Sequence, residues 1–156
     1  MLYHLAQINI GRLAAPNDDP RNADFVAQLD EVNALAECAP GFVWRLKSES
    51  GNATGIGYAD GEDASLLVNM SVWESIEALQ AFTYSSRHME VFRDRGRWFQ
   101  KMDQPSYCLW WLAAGHHPTV AEGRDRLTHY QQHGATALSF WFSQRFQAPT
   151  EESVCA

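Results

Sequence analysis

The stretch 85–99, SSRHMEVFRDRGRWF, places one histidine among arginines and aromatics. His88, Phe92 and Arg95 recur at spacings of four and three, which predicts a shared helical face. A histidine on such a face, turned toward a cavity, can take a proton from a phenol as a general base. Arg95 would present its planar fork to a carboxylate. Both have plainer alternatives. His88 would be a satisfied core or surface histidine, and Arg95 would pair with Glu90, Asp94 or a carboxylate across an interface. Trp73, Phe92 and Trp98 would wall such a pocket, or would simply fill the core, since each ring buries a large area.

A second stretch, PGFVWRL at 40–46, sets Trp44 beside Arg45 on a short strand, so the two side chains must point to opposite faces. If Trp44 packs beneath helices, Arg45 projects to the other side of the sheet. Alternation also permits Gln7, Asn9, Asn69 and Ser71 to gather there. A polar cluster in an apolar interior must be hydrogen-bonded, or hold water or a ligand. Trp44, Arg45 and Asn69 are therefore ligand-contact candidates.

Weaker constellations read as structure. His116 and His117 with Glu122 open a helix, where loop polarity and capping explain them. His129 and His133 are four apart on one helix without a carboxylate at matching spacing, so no metal site is expected. Cys38, Cys108 and Cys155 lie far apart, which excludes a disulfide framework and a CxxC zinc site.

The elements that must position these residues follow from periodicity. Residues 2–11 alternate as a strand, with Tyr3, Leu5, Gln7 and Asn9 on one side and His4, Ala6, Ile8 and Ile10 on the other. Asp19-Pro20 predicts an N-cap and first helical position. Phe25, Leu29, Val32 and Ala36 then form a helical stripe that Pro40-Gly41 stops. Residues 42–47 are a second strand, followed by a Gly- and Asn-rich loop or hairpin. Residues 65–73 are a third strand, apolar at 66, 68, 70 and 72 and mixed at 67, 69, 71 and 73. Ser75 would cap a short helix, and another helix would run over 86–102. Residues 106–114 form a fourth strand, apolar on both faces, with Trp110 and Trp111 opposed. Thr119 and Glu122 form a capping box for a last helix ending near Gly134, and 138–142 could add a strand.

The order βαββαβ, with an appended helix, predicts an α+β, ferredoxin-like fold. One sheet face takes the helices. The other would be bare, although apolar groups point to it, and pairing two such faces in a homodimer would cover it. Residues 1–145 would form this single domain and 146–156 a tail.

Composition narrows the function. Twelve Lys and Arg against nineteen Asp and Glu give a formal net charge of −7, which argues against nucleic acid and anionic membranes as partners. There is no signal peptide pattern and no run of transmembrane length, so a cytoplasmic setting is expected. Six Trp, eight Phe and five Tyr supply an aromatic core or pocket, and the expected partner is a small hydrophobic or aromatic molecule.

Three segments, HLAQINIG, DDPRNADFVAQLDEVNALAECAPGFVWRL and GHHPTVAEGRDRLTHYQQHGATALSFWF, together resemble a bacterial family known as a domain of unknown function. That family is similar to the dimeric α+β barrel proteins, and the resemblance spans about residues 2–145. PGFVWRL and the WW…GHxPT run carry it. VWESIEALQAFTYSSRHMEVFR (72–93) also resembles the antibiotic biosynthesis monooxygenase-like group, in which a strand ends in Trp-Glu-Ser and the next helix carries Phe and then Ser-x-x-His. That superfamily includes cofactor-independent oxygenases, haem-degrading enzymes and stress-responsive proteins without catalysis. The resemblance implies a pocket for a small, often aromatic molecule. It offers three functions: a monooxygenase-like enzyme with His88 as base, a haem protein with His88 as iron ligand and Arg95 on a propionate, or a non-catalytic dimer. The cofactor is thus none or haem. The haem-degrading relatives carry their ligand about one turn later, where this chain has Phe92.

Overall fold

The computed structural model describes residues 2–15, 20–47 and 66–150. The expected cap at Asp19, the loop after Lys47 and the end of the tail, with Cys155, lie outside the described residues. Four strands, β1 (Tyr3–Arg12), β2 (Phe42–Arg45), β3 (Leu66–Trp73) and β4 (Tyr107–Ala113), form one sheet in the order β2-β3-β1-β4. All neighbours are antiparallel. With α1 (Ala23–Cys38) between β1 and β2, and α2 (Ile76–Thr83) and α3 (Ser86–Arg93) between β3 and β4, this is the ferredoxin-like α+β topology. α4 (Val120–His133) is the appended helix.

Local chemistry sets the boundaries. Gly41 adopts φ +83, where an L side chain is strained, and its added Cβ would sit 2.5 Å from Ala78 Cβ. The Ser75 hydroxyl accepts from Ala78 N at 3.1 Å and starts α2. Thr119 does the same for Glu122 N at 3.1 Å, and Gly134 closes α4. The helix expected over 86–102 is shorter. α3 gives way to a 3-10 turn, Asp94–Arg97, because Phe99 is drawn into a bridge with Leu13. Residues 138–142 add only isolated bridges beside β4, with Phe140 exchanging hydrogen bonds with Leu109.

The strands share out their side chains in strict alternation, and the two faces differ. One face carries Ala6, Ile8, Val68, Met70, Val72, Cys108 and Trp110, all buried, with Leu127 of α4 against them. Here the structure corrects the expected bare face: α4 of the same chain covers it. Gly123 makes the close approach possible, since an added Cβ would meet Met70 Sδ at 2.6 Å and Ile8 Cδ1 at 2.9 Å. Pairing of two sheets through this face would require α4 to leave it.

The other face lies beneath α1, α2 and α3, and its core is split in two. Leu5, Trp73 and Leu109 pack with Ile76, Leu79, Ala36 and Phe140. Leu67 packs with Leu13, Phe25 and Trp98. Between these two apolar clusters the register places Gln7 opposite Ser71 and Asn9 opposite Asn69.

Candidate functional site

The strip between the clusters is a hydrogen-bonded group of side chains on two adjacent central strands. Gln7 Nε2 donates to Asn69 Oδ1 at 2.7 Å and to Ser71 Oγ at 2.8 Å. Asn9 Nδ2 donates to Gln7 Oε1 at 3.0 Å and to Asn69 Oδ1 at 3.1 Å. Trp73 Nε1 donates to Ser71 Oγ at 2.9 Å. Gln7 and Ser71 are buried, yet Asn9, in the middle of a central strand, is exposed. A helix-covered sheet face would normally bury its centre, so the helical layer leaves a gap above Asn9.

The walls of the strip are aromatic at one end. The Trp73 indole, 1% exposed, stacks on Phe82 at 5.3 Å and meets the edge of Phe42 at 5.5 Å. Phe82 in turn contacts the His88 ring at 5.4 Å. His88 is half-buried, and its Nδ1 is shielded from solvent with no hydrogen-bond partner. Burial pushes the imidazole below its ordinary pKa of 6.5, with the Thr83 backbone pulling the other way. Burial therefore favours the neutral form of His88.

From the helical layer, α1 turns a stripe of Phe25, Leu29, Asn33 and Ala36 inward. Asn33 falls between the residues that pack on the two apolar clusters and is 8% exposed.

The other candidates lie elsewhere. His88 and Phe92 lie one turn apart within α3, but Arg95 falls in the 3-10 turn after Arg93 and leaves the α-helical phase. Phe92 is 44% exposed, and Arg95 folds over its ring at 3.8 Å while donating to its carbonyl at 3.0 Å. Trp98 is buried beside Phe25 at the far end. Trp44 and Arg45 do point to opposite faces, and Arg45 lies on the side of Ser71 as alternation allowed, but that side is the one beneath α1 and α2, while Trp44 takes the α4 side. A register shift between Phe42 and Trp44 puts Phe42 under α2, while Trp44 packs on the α4 side and stacks on His117 at 5.0 Å. Arg45 lies opposite Ser71 on the face toward α1, where its Nε meets Glu37 Oε1 at 2.7 Å. That hydrogen bond and charge hold the Glu37 carboxyl below the usual carboxylate range.

Asn69 and Trp73 thus come together with His88 through Phe82. Gln7, Asn9 and Ser71 were visible only as possible neighbours. Asn33 and Phe82 were missed, although Asn33 interrupts an apolar helical stripe and could have been found that way. Cys108 is inert, since burial pushes its thiol up to about 12. His116 pairs with Glu122 at 2.8 Å and His129 with Thr136 at 2.9 Å. Among the described residues no group of three or more His, Cys, Asp or Glu could hold a metal ion.

These residues fit haem poorly. Arg95, the expected propionate partner, is turned onto Phe92 at the surface, and the helix-side sheet face carries mutually bonded amides rather than an apolar floor.

The fold and this strip define an α+β protein of the ferredoxin-like class with a polar patch beneath its helices. Residues 4–155 match the family described as Domain of unknown function (DUF3291), and the chain belongs to that family. No curated protein matches the chain. Three solved structures are similar to the chain. A conserved protein from Methanosarcina mazei Go1 is 10% identical with a TM-score of 0.50, covering 71% of this chain and 92% of its own. A candidate antibiotic biosynthesis monooxygenase from Chloroflexus aurantiacus J-10-fl is 16% identical with a TM-score of 0.49, covering 73% and 97%. SnoaB, a cofactor-independent oxygenase from Streptomyces nogalater, is 13% identical with a TM-score of 0.45, covering 73% and 95%. The likeness to the Methanosarcina mazei protein is one of fold. Among the described residues no helix is long and apolar enough to cross a membrane.

Proposed function

We propose that the chain binds a small aromatic molecule over the amide strip and acts on it as a monooxygenase-like enzyme. The observation that carries this reading is the exposed Asn9 at the centre of a helix-covered sheet, in a hydrogen-bonded group with Gln7, Asn69 and Ser71. Pockets for small molecules combine apolar walls with a few placed polar groups. Here Trp73, Phe82 and Phe42 supply the walls and the amides the polar floor. The chemistry begins with a proton. An electron-rich phenol seated on the strip loses its hydroxyl proton to His88, and the resulting phenolate can give electrons to dioxygen. Burial favours the neutral imidazole, the form a general base needs.

The test uses a naphthol as probe. Side-chain amide resonances of Gln7, Asn9 and Asn69 should shift on titration, followed by NMR of the labelled protein. Oxygen uptake with an electron-rich naphthol should fall at least roughly a hundredfold in His88→Ala, the usual scale of general-base catalysis. Unshifted amide signals would sink the site. Shifted signals with unchanged uptake in His88→Ala would sink the role of His88 and leave a binding protein.

A further inference from the structure

The hydrogen bonds of the strip decide more than its location. A serine hydroxyl has one donor and two acceptor positions, and a carboxamide has two N–H donors and two acceptor positions. Ser71 Oγ accepts from both Gln7 Nε2 and Trp73 Nε1, so both its acceptor positions are used. Asn69 Oδ1 accepts from both Gln7 Nε2 and Asn9 Nδ2, so it too is full. Gln7 and Asn9 each spend both N–H groups inside the strip. What is left at Ser71 and Asn69 is donor capacity alone: one O–H and the Nδ2 amide. Neither donor has a partner among the described residues. Ser71 is 8% exposed, and a buried hydroxyl proton without an acceptor is costly.

Asn33 faces the strip from α1. It is 8% exposed and lies between the two apolar clusters on the inward stripe, so its carboxamide is a polar group set in the helical layer above the strip.

Resting on the binding site proposed above, we infer that the ligand presents a hydrogen-bond acceptor oxygen, a ketone carbonyl or an oxyanion, to Ser71 and Asn69, with Asn33 closing on it from the helical layer. A ligand that offers only a donor at that point would leave Ser71 and Asn69 with nothing to bond. If the reacting species is a phenolate, the same donors stabilise its negative oxygen as it forms.

The probes are α-tetralone, which carries a carbonyl, tetralin, which has the same ring system without it, and α-naphthylamine, which offers N–H donors. Calorimetric titration of the full chain should show α-tetralone binding about tenfold more tightly than tetralin, the scale of one well-made hydrogen bond. α-Naphthylamine, whose N–H groups find only the unused acceptor positions of Asn9 and Gln7, should bind less tightly than α-tetralone. Asn69→Asp, which replaces donors with acceptors at constant shape, should abolish the preference for the ketone. Asn33→Leu should weaken α-tetralone severalfold and spare tetralin. The comparison of probes on the unaltered protein needs no variant to fold. Equal binding of ketone and hydrocarbon, or a preference for the amine, overturns the inference while leaving the site itself standing. An unchanged preference in Asn69→Asp overturns it as well. If neither ketone nor hydrocarbon binds, the binding site falls and the inference with it.

Discussion

The same three strands build two faces that have opposite chemistry. On the α4 side, Ala6, Ile8, Met70, Val72 and Trp110 are each 0% exposed, and a helix sits so close that Gly123 has no room for a Cβ. One residue along each strand, on the side of α1 to α3, the register instead gives Leu5, Gln7, Asn9 and Trp73, Ser71, Asn69. The second face pays for polar groups at its centre with a divided core and an exposed asparagine. A domain seeking only stability would fill that strip with Val and Leu, as the α4 face does, because each buried aliphatic side chain stabilises by roughly 1.5–3 kcal/mol. The difference separates a face that holds the fold from one that can hold a ligand.

The sharpest way to break that contrast is on the sealed face. Trp110→Ala removes a fully buried indole and should cost about 3–5 kcal/mol in denaturant unfolding. The surviving folded protein should bind α-tetralone within about twofold of the unaltered chain, the scale expected for a distant, independent site. A large change in affinity would mean that the faces are not independent.

Gly123→Val is the next largest. The added carbons would press on Met70 and Ile8, both 0% exposed, so the cost should reach about 3 kcal/mol. Lifting α4 also uncovers an apolar sheet face, so light scattering should show increased self-association. A variant that stays as stable and as monodisperse as its parent would contradict the tight seat of α4.

On the open face, Gln7→Leu strips the strip of its central member. Ser71, Asn69 and Asn9 each lose a bond, and the loss should be roughly 1–2 kcal/mol, below that of either change on the sealed face. Ligand affinity should fall far more than stability, measured by titration beside unfolding. If affinity holds, the amides are only scaffolding.

Much of this arrangement was legible in the sequence, for a physical reason. Period-two alternation locates β1 and β3 and sorts Gln7 and Asn9 from Ile8 and Ile10. Caps at Ser75 and Thr119 fixed helix starts, since those side chains bond backbone groups within a few residues. What failed was non-local. Alternation says that Trp44 and Arg45 oppose one another, but not which side α1 or α4 will cover, and so α4 was not expected on the bare face. The helical phase that sets His88 and Phe92 one turn apart stops short of Arg95, because Phe99 joins Leu13, a residue far away in sequence, and the chain tightens first.

The smallest expected effect concerns His88, at the aromatic end of the open face. Its folded pKa lies below the ordinary 6.5, chiefly because burial disfavours the charged imidazolium. The folded state therefore binds its proton less readily than the unfolded chain does. Stability from keeping His88 neutral is fully present above pH 6.5. As pH falls below that value the unfolded chain protonates first, and this stability is lost until the folded pKa is passed. His88→Phe, which keeps a ring against Phe82 and removes the titration, should flatten the acid limb of stability against pH, read from thermal melts between neutral and mildly acidic buffer. It should leave the neutral plateau close to that of the parent. An acid limb with undiminished slope would place His88 in water and detach it from the wall that Phe82 and Trp73 build.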